Sequence, residues 1–263
     1  MKRLQRLLVN SAAVLLIFGG TGVLIAATAS ADETQAKTVF KGMSDYLAAQ
    51  KSMSFNFDSN LEVVTMEGQR IGLASSGAVE VSRPDKIRAT RTGGFADVEL
   101  VFDGKTLSLL GKNLNLYTQA EMPGSIDHLV DELRDKFQRP LPAADLLMSD
   151  AYGQIMPMVT DVKDLGTGVI RGQECDHVAM RAKDVDLQIW ISTGKEPYPC
   201  RYTITSRDVE GGPQYTIDVR DWKASPETGS GDFTFTPPKD AKSVKVSDLT
   251  DVDELPSEFA PKK

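Results

Sequence analysis

The chain has 263 residues, with 37 acidic against 30 basic side chains, a net charge of −7, 41% hydrophobic residues, two cysteines and two histidines. An acidic balance of this kind argues against nucleic-acid binding and against electrostatic docking on anionic lipid headgroups. The length allows one sizeable core, and so few histidines and cysteines leave little material for metal or acid–base chemistry.

Lys2, Arg3 and Arg6 precede an apolar run from Leu7 to Ala27, broken by Asn10 and Gly19-Gly20. Ala29-Ser30-Ala31 then supplies the small residues that a signal peptidase accepts, so residues 1–31 are expected to be a cleaved signal peptide. The alternative is an uncleaved anchor, since the run nearly spans a bilayer; the cleavage motif favours export. Cleavage would remove three positive charges and take the net charge from −7 to −10. No cysteine follows the run, so no lipid attachment is expected. The expectation is a soluble, non-lipidated protein in the periplasm or outside the cell, with no integral membrane segment after cleavage.

From Glu33 to Lys51 the pattern is helical, with Val39, Phe40, Met43, Tyr46 and Leu47 on one face. Strands follow. Met53, Phe55, Phe57, Leu61 and Val63 share one parity; Arg70–Val81 and Lys86–Arg91 come next; Val98, Leu100 and Phe102 alternate within Phe95–Phe102. Asp103-Gly104 signals a hairpin into Thr106–Leu110, with a further strand at Leu114–Thr118. The period then changes: Ile126, Leu129, Val130, Leu133 and Phe137 form a helical stripe over Ser125–Gln138, opened by Pro123-Gly124-Ser125 and closed by Pro140. Pro142–Ser149 and Tyr152–Val159 read as short apolar helical stretches. Strands resume at Val169-Ile170, Cys175–Arg181, Leu187–Ser192, Arg201–Ser206, Gln214–Trp222 and Phe233–Thr236. The predicted architecture is mainly β: one large antiparallel sheet that must curl as strand twist accumulates, with the helices as cover for its apolar face. Residues 32–240 form one domain, and 241–263 an acidic, partly mobile tail.

The catalytic inventory is poor. His128 reads as a surface helix residue and His177 as a locally bonded strand residue beside Asp176; no Cys/His cluster has metal spacing, and neither G-x-S-x-G nor a phosphate-cradling loop occurs. The protein is expected not to be an enzyme and to carry no cofactor or metal. Two cysteines in an oxidising compartment favour a disulfide. Turns at Lys183-Asp184 and Lys195-Glu196, however, would set Cys175 and Cys200 opposite the same middle strand near Ile191-Ser192, about 9.6 Å apart, where a bridge needs less than about 7 Å. Only a bulge or an off-sheet loop would join them, and both outcomes stay open.

The segments GQECDHVAM, LQIWISTGKEPYP, YTIT, PQYTIDVRDW and FTFTPPKDA, in this order, resemble a family of predicted bacterial periplasmic proteins of unknown function, within the superfamily of the outer-membrane lipoprotein carrier (LolA-like). RPLPAADLL, from Arg139 to Leu147, and MSDYLA in the first helix are similar to the same pattern. The resemblance implies a half-barrel: one strongly curved antiparallel sheet whose concave apolar face is covered by helices, with a cavity between. It also implies relatives that carry lipoproteins or lipids, or that sense mislocalised lipoproteins.

The leading reading is a periplasmic protein that binds an acyl chain, lipid or lipoprotein. The strands would line the cavity with Phe55, Phe57, Leu61, Val98, Leu100 and Phe102, then Leu107, Leu109, Leu187, Ile189 and Ile191. The cover would add Leu129, Leu133, Phe137, Leu147, Met148 and Met156. For any single one of these, the pattern favours a plain core residue over a cavity wall. Trp190 has the opposite parity and packs outside on this reading. The competing reading is an envelope-stress regulator or scaffold that binds another periplasmic protein and holds no ligand. A hydrolase would require a close Ser–His–Asp cluster.

Overall fold

The computed structural model describes residues 25–94, 96–137, 144–225, 227 and 231–245, with side chains from Asp32 onward. The expected signal peptide therefore falls largely outside the described residues, as do Arg139–Ala143 and everything beyond Lys245.

The first helix, α1, runs Ile25–Ala49, eight residues earlier than the periodicity predicts. Six strands follow: β1 Ser52–Val64, β2 Arg70–Ser82, β3 Lys86–Gly93, β4 Asp97–Phe102, β5 Thr106–Gly111 and β6 Leu116–Glu121. A helical interlude holds α2 Ile126–Asp135, a 3-10 turn Ala144–Leu147, α3 Ala151–Ile155 and a second 3-10 turn Met156–Met158. Five more strands are β7 Asp161–Ile170, β8 Gln173–Arg181, β9 Val185–Ser192, β10 Pro199–Ser206 and β11 Gln214–Ser225; the two-residue β12 is Lys242–Ser243.

All twelve strands form one sheet in the order β12-β6-β5-β4-β3-β2-β1-β11-β10-β9-β8-β7. It is open and curved, the LolA-like half-barrel that the resemblance implies. Two meanders, β1–β6 and β7–β11, are joined by pairing the first strand with the eleventh, Phe57 opposite Val219 and Leu61 opposite Tyr215. Pairing is antiparallel except for β12 on β6. The turn chemistry is local. Gly104 (φ 91°) takes the left-handed position after Asp103, whose carboxylate accepts from the Lys105 and Thr106 amides at 2.9 and 2.8 Å. Arg171 and Gly172 (φ 53° and 82°) form the link between β7 and β8.

Strand parity divides the faces. The concave face carries Phe57, Val79, Ile87, Leu100, Phe102, Val178, Ile189, Tyr202 and Val219, all in the main core. Onto it α1 lays Ala36, Phe40, Met43 and Leu47, at steps of four, three and four residues; burying each of the three larger side chains stabilises by about 1.5–3 kcal/mol. α1 packs over β7–β9. Ser125 caps α2, its hydroxyl accepting from the His128 amide at 3.2 Å, and turns Ile126, Leu129 and Leu133 into the core.

The opposite, convex face is a ladder of ion pairs and stacked rings. Asp58 accepts from Arg220 at 2.8 and 3.0 Å, from Arg171 at 2.8 Å and from the Ser76 hydroxyl at 2.7 Å. These bonds hold its carboxyl well below the usual carboxylate range, the Ser76 bond contributing most. Arg201 grips Asp218 at 2.6 and 3.1 Å and lies 5.8 Å over the Trp190 ring, which stacks on His177 at 4.0 Å. Trp190 thus sits outside the concave face, and Gly168 makes room for it, since a Cβ there would lie 3.2 Å from the indole nitrogen.

Phe233–Thr236 is not the strand its alternation predicts. The segment crosses the convex face as a strap: Arg88 donates to the Asp232 carbonyl at 2.8 Å, and Phe235 packs on Tyr117 at 5.7 Å. Alternating Phe and Thr specify two faces, but Pro237-Pro238 follow and prevent a ladder continuing. Beyond them Lys242–Ser243, in the stretch read as the start of a tail, adds to β6 as β12.

Candidate functional site

The concave face is not sealed everywhere. Between the sheet and its cover lies a cavity of about 200 Å³, open to solvent at its mouth. Its floor comes from β1–β5 and β10–β11: Phe55 and Phe57, Val79, Ile87 and Ala89, Val98 and Leu100, Leu109, then Pro199, Tyr202, Ile217 and Val219. Leu47 of α1 and Ala144, Leu146 and Leu147 of the 3-10 turn form its roof. Thr90, Arg91 and Tyr215 add the polar groups, with the buried Tyr202.

Three local devices shape this space. Gly77 pairs with Phe57, and a Cβ at Gly77 would stand 2.0 Å from the Thr90 carbonyl and 2.5 Å from the Phe57 ring; glycine lets that ring lie flat on the floor. At one end, Asp221 adopts φ 56°, and β11 carries a bulge between the Ser54 and Asn56 pairings. The bulge flips the parity, so Trp222 turns inward. Its ring stacks on Phe55 at 5.5 Å and on Tyr198 at 5.0 Å, and its indole N–H donates to the Tyr46 hydroxyl at 3.5 Å. The roof is tied down by Arg83, which donates to the carbonyls of Leu147 at 2.6 Å and Met148 at 3.4 Å. Burial lowers the pKa of this guanidinium. Asp127 of α2 accepts from the Ser149 amide at 2.9 Å and from its hydroxyl.

Burial sets the electrostatics of the tyrosines in the lining. Burial raises both tyrosines, Tyr202 well above its ordinary value; for Tyr215 a bond to Ser59 and the Arg91 charge offset part of the rise. Among the described residues of the lining, none pairs a nucleophile with a base. His177 is on the convex face, its pKa lowered by burial and its Nε2 bonded to Gln188 at 3.1 Å. Among the described residues, no three His, Cys, Asp or Glu side chains are grouped to hold a metal.

Of the residues expected to line a cavity, Phe55, Phe57, Val98, Leu100, Leu109 and Leu147 do so. Phe102, Leu107, Leu129, Leu133, Met148, Ile189 and Ile191 are instead packed in the core, and Phe137, Met156 and Leu187 lie partly buried against it. Leu61 is 36% exposed, near the far end of β1. Among the lining residues that the pattern missed are Trp222, Tyr202, Tyr215 and Ile217. Tyr202, Tyr215 and Ile217 obey the parity of their strands and were legible. Trp222 was hidden by the bulge. Cys175 and Cys200 are free thiols, both buried.

Together these residues make an open curved sheet with an apolar chamber under a partial helical roof. Residues 36–247 match the family described as "Predicted periplasmic protein (DUF2092)", and the chain belongs to that family. No curated protein matches it. Among solved structures, the Pseudomonas aeruginosa MucA/MucB complex is similar at 13% identity and TM-score 0.44, over 77% of this chain and 61% of that one. LprF from Mycobacterium bovis shares 11% identity at TM-score 0.44, over 80% of this chain and 99% of that one. A LolA superfamily protein from Nitrosomonas europaea shares 9% at TM-score 0.36, over 76% and 97%. Among the described residues, no helix is long and apolar enough to cross a membrane.

Proposed function

We propose that this is an exported periplasmic protein, with residues 1–31 removed and no lipid attached, that binds a hydrophobic ligand in the cavity: an acyl chain of a lipid or lipoprotein. The observation that carries the reading is the cavity wall itself. It is built from aliphatic and aromatic side chains on seven strands and the roof, yet it encloses space that the protein does not fill. Protein interiors are close-packed, so an unfilled apolar chamber of this size forgoes contacts that a guest restores. Each methylene moved from water into it contributes about 0.8 kcal/mol, so a chain of modest length suffices for useful affinity after association costs. No covalent step is involved. Thr90, Arg91, Tyr202 and Tyr215 are the lining groups able to meet a polar end group.

The test is native mass spectrometry of the protein purified from periplasm, before and after organic extraction. A reproducible added mass that extracts as lipid is the expected result and names the ligand class. A bare protein mass, together with no uptake of a fluorescent fatty acid, would contradict the reading and leave a protein-binding scaffold in its place.

A further inference from the structure

The two cysteines stand outside the chemistry of the cavity, yet the fold has brought them together. Cys175 on β8 aligns with Ser192 on β9. On β10, Pro199 aligns with Ile191, but the next aligned residue is Arg201, opposite Trp190; Cys200 is the extra residue of a β-bulge. A regular register would separate the cysteines by two strand spacings, about 9.6 Å. The bulge takes Cys200 out of that register, and its side chain meets that of Cys175 across β9. The two side chains share one small buried cluster with Ile170, against Trp190 and Tyr198. They are close enough that each thiol perturbs the ionisation of the other.

The same bulge also builds the cavity. Pro199, beside Cys200, lines it, and Tyr198 stacks on Trp222 with an interplanar angle of 4°. Whatever fixes Cys200 therefore fixes a stretch of the cavity wall.

We propose that Cys175 and Cys200 are joined while the chain folds, by exchange with a disulfide-bearing oxidant of the export compartment, into a staple that skips β9 and holds the Tyr198–Pro199 wall. The two thiols lose two protons and two electrons; the oxidant's disulfide is reduced to two thiols. The staple itself is independent of the ligand reading, whereas its effect on the wall rests on it. Timing follows from the burial. Exchange requires a thiolate, and desolvation raises both thiols, Cys200 the more. Once the sheet is closed, a reduced pair is trapped. The bond has to form while β8–β10 are still open, and it then removes loop freedom from the unfolded chain.

The test exports the full chain to the periplasm of a bacterial host, quenches in acid, and alkylates the denatured protein with iodoacetamide without reductant. Peptide mass analysis is expected to show Cys175 and Cys200 unlabelled and joined; prior reduction should label both, and C175S should label at Cys200. Full labelling of both cysteines without reductant would overturn the staple. For timing, protein refolded under reductant is exposed to oxidised glutathione. The folded form should close at least about tenfold more slowly than the urea-unfolded form, because its thiolate is scarce; equal rates would overturn the folding-coupled step. The bridged form should melt roughly 5–15 °C above the reduced form. Bridged and reduced forms should also differ at least about threefold in uptake of a fluorescent fatty acid, since wall position sets contact quality; equal affinities would overturn the coupling to the wall. No uptake by either form would count against the ligand reading, while the peptide masses decide the staple on their own.

Discussion

The concave face is treated in two ways along one sheet. On β7–β9, beneath α1, Val178, Met180, Ile189 and Ile191 are packed in the core. None of these strands contributes to the cavity. On β1–β5 with β10 and β11, the same inward alternation of apolar residues faces open space. The strands do not differ in pattern; their covers do. One half lies under a long helix with Ala36, Phe40, Met43 and Leu47 along one stripe. Over the other, the described roof is Leu47 at the end of that helix and the four-residue turn Ala144–Leu147, which leave part of the floor open. An apolar strand face states what has to be kept from water. It leaves open whether protein or a guest does so.

The comparison is broken most sharply by matched truncations. Ile189→Ala, in the sealed half, should cost about 2–5 kcal/mol in urea unfolding, because its neighbours cannot collapse into the void. Leu109→Ala, in the cavity floor, should cost about 1–2 kcal/mol, since one side of that side chain already lacks partner atoms. Equal losses at the two positions would mean that the two halves are packed alike.

The roof comes next in size. Arg83→Met removes the donor to the Leu147 and Met148 carbonyls and should cost about 1–3 kcal/mol, the penalty for buried acceptors left unmade. It should also speed ligand release, read by stopped-flow displacement of a fluorescent fatty acid. An unchanged release rate would show that the turn is not the roof of the site.

The smallest effect belongs to the convex face, which neither half of the comparison uses. Asp58→Asn should cost at most about 1 kcal/mol at neutral pH, because the ion pairs it ends are partly exposed. The folded-state pKa of Asp58 is depressed, so its contribution is complete above the unfolded carboxyl's value, about 3.9, and fades as pH falls below that. The gap between wild type and variant should therefore be constant from about pH 5 to 7 and close below about pH 4. A gap that widened in acid would reverse the assignment. Ligand uptake at neutral pH should be unaffected.

What was legible in the sequence follows from the same physics. Period-two alternation placed most strands, though only the last two residues of β7 and none of β12, and it put Phe55, Phe57, Val98, Leu100 and Leu109 on the inward face. It could not show that β1 would pair with β11, because a register between strands some 160 residues apart is set by the closed sheet rather than by either strand alone. Trp222 was lost because Asp221 takes a left-handed conformation and inverts the parity after it. Cys200 moved toward Cys175 for a related reason, a one-residue bulge that no composition signal announced. Phe233–Thr236 had a strand's alternation without a strand's neighbours. Parity also placed Phe102, Ile189 and Ile191 on the right face while leaving unsaid how tightly that face would be covered.

The most direct measurement fills the chamber. Ala89 lies on the cavity floor, and Ala89→Trp would place an indole in the space assigned to the guest. Uptake of a fluorescent fatty acid should fall at least about tenfold, while the unfolding free energy in urea stays within about 1 kcal/mol of wild type because the ring enters existing space. Uptake at the wild-type level by a folded Ala89→Trp protein would contradict the assignment of this cavity as the binding site.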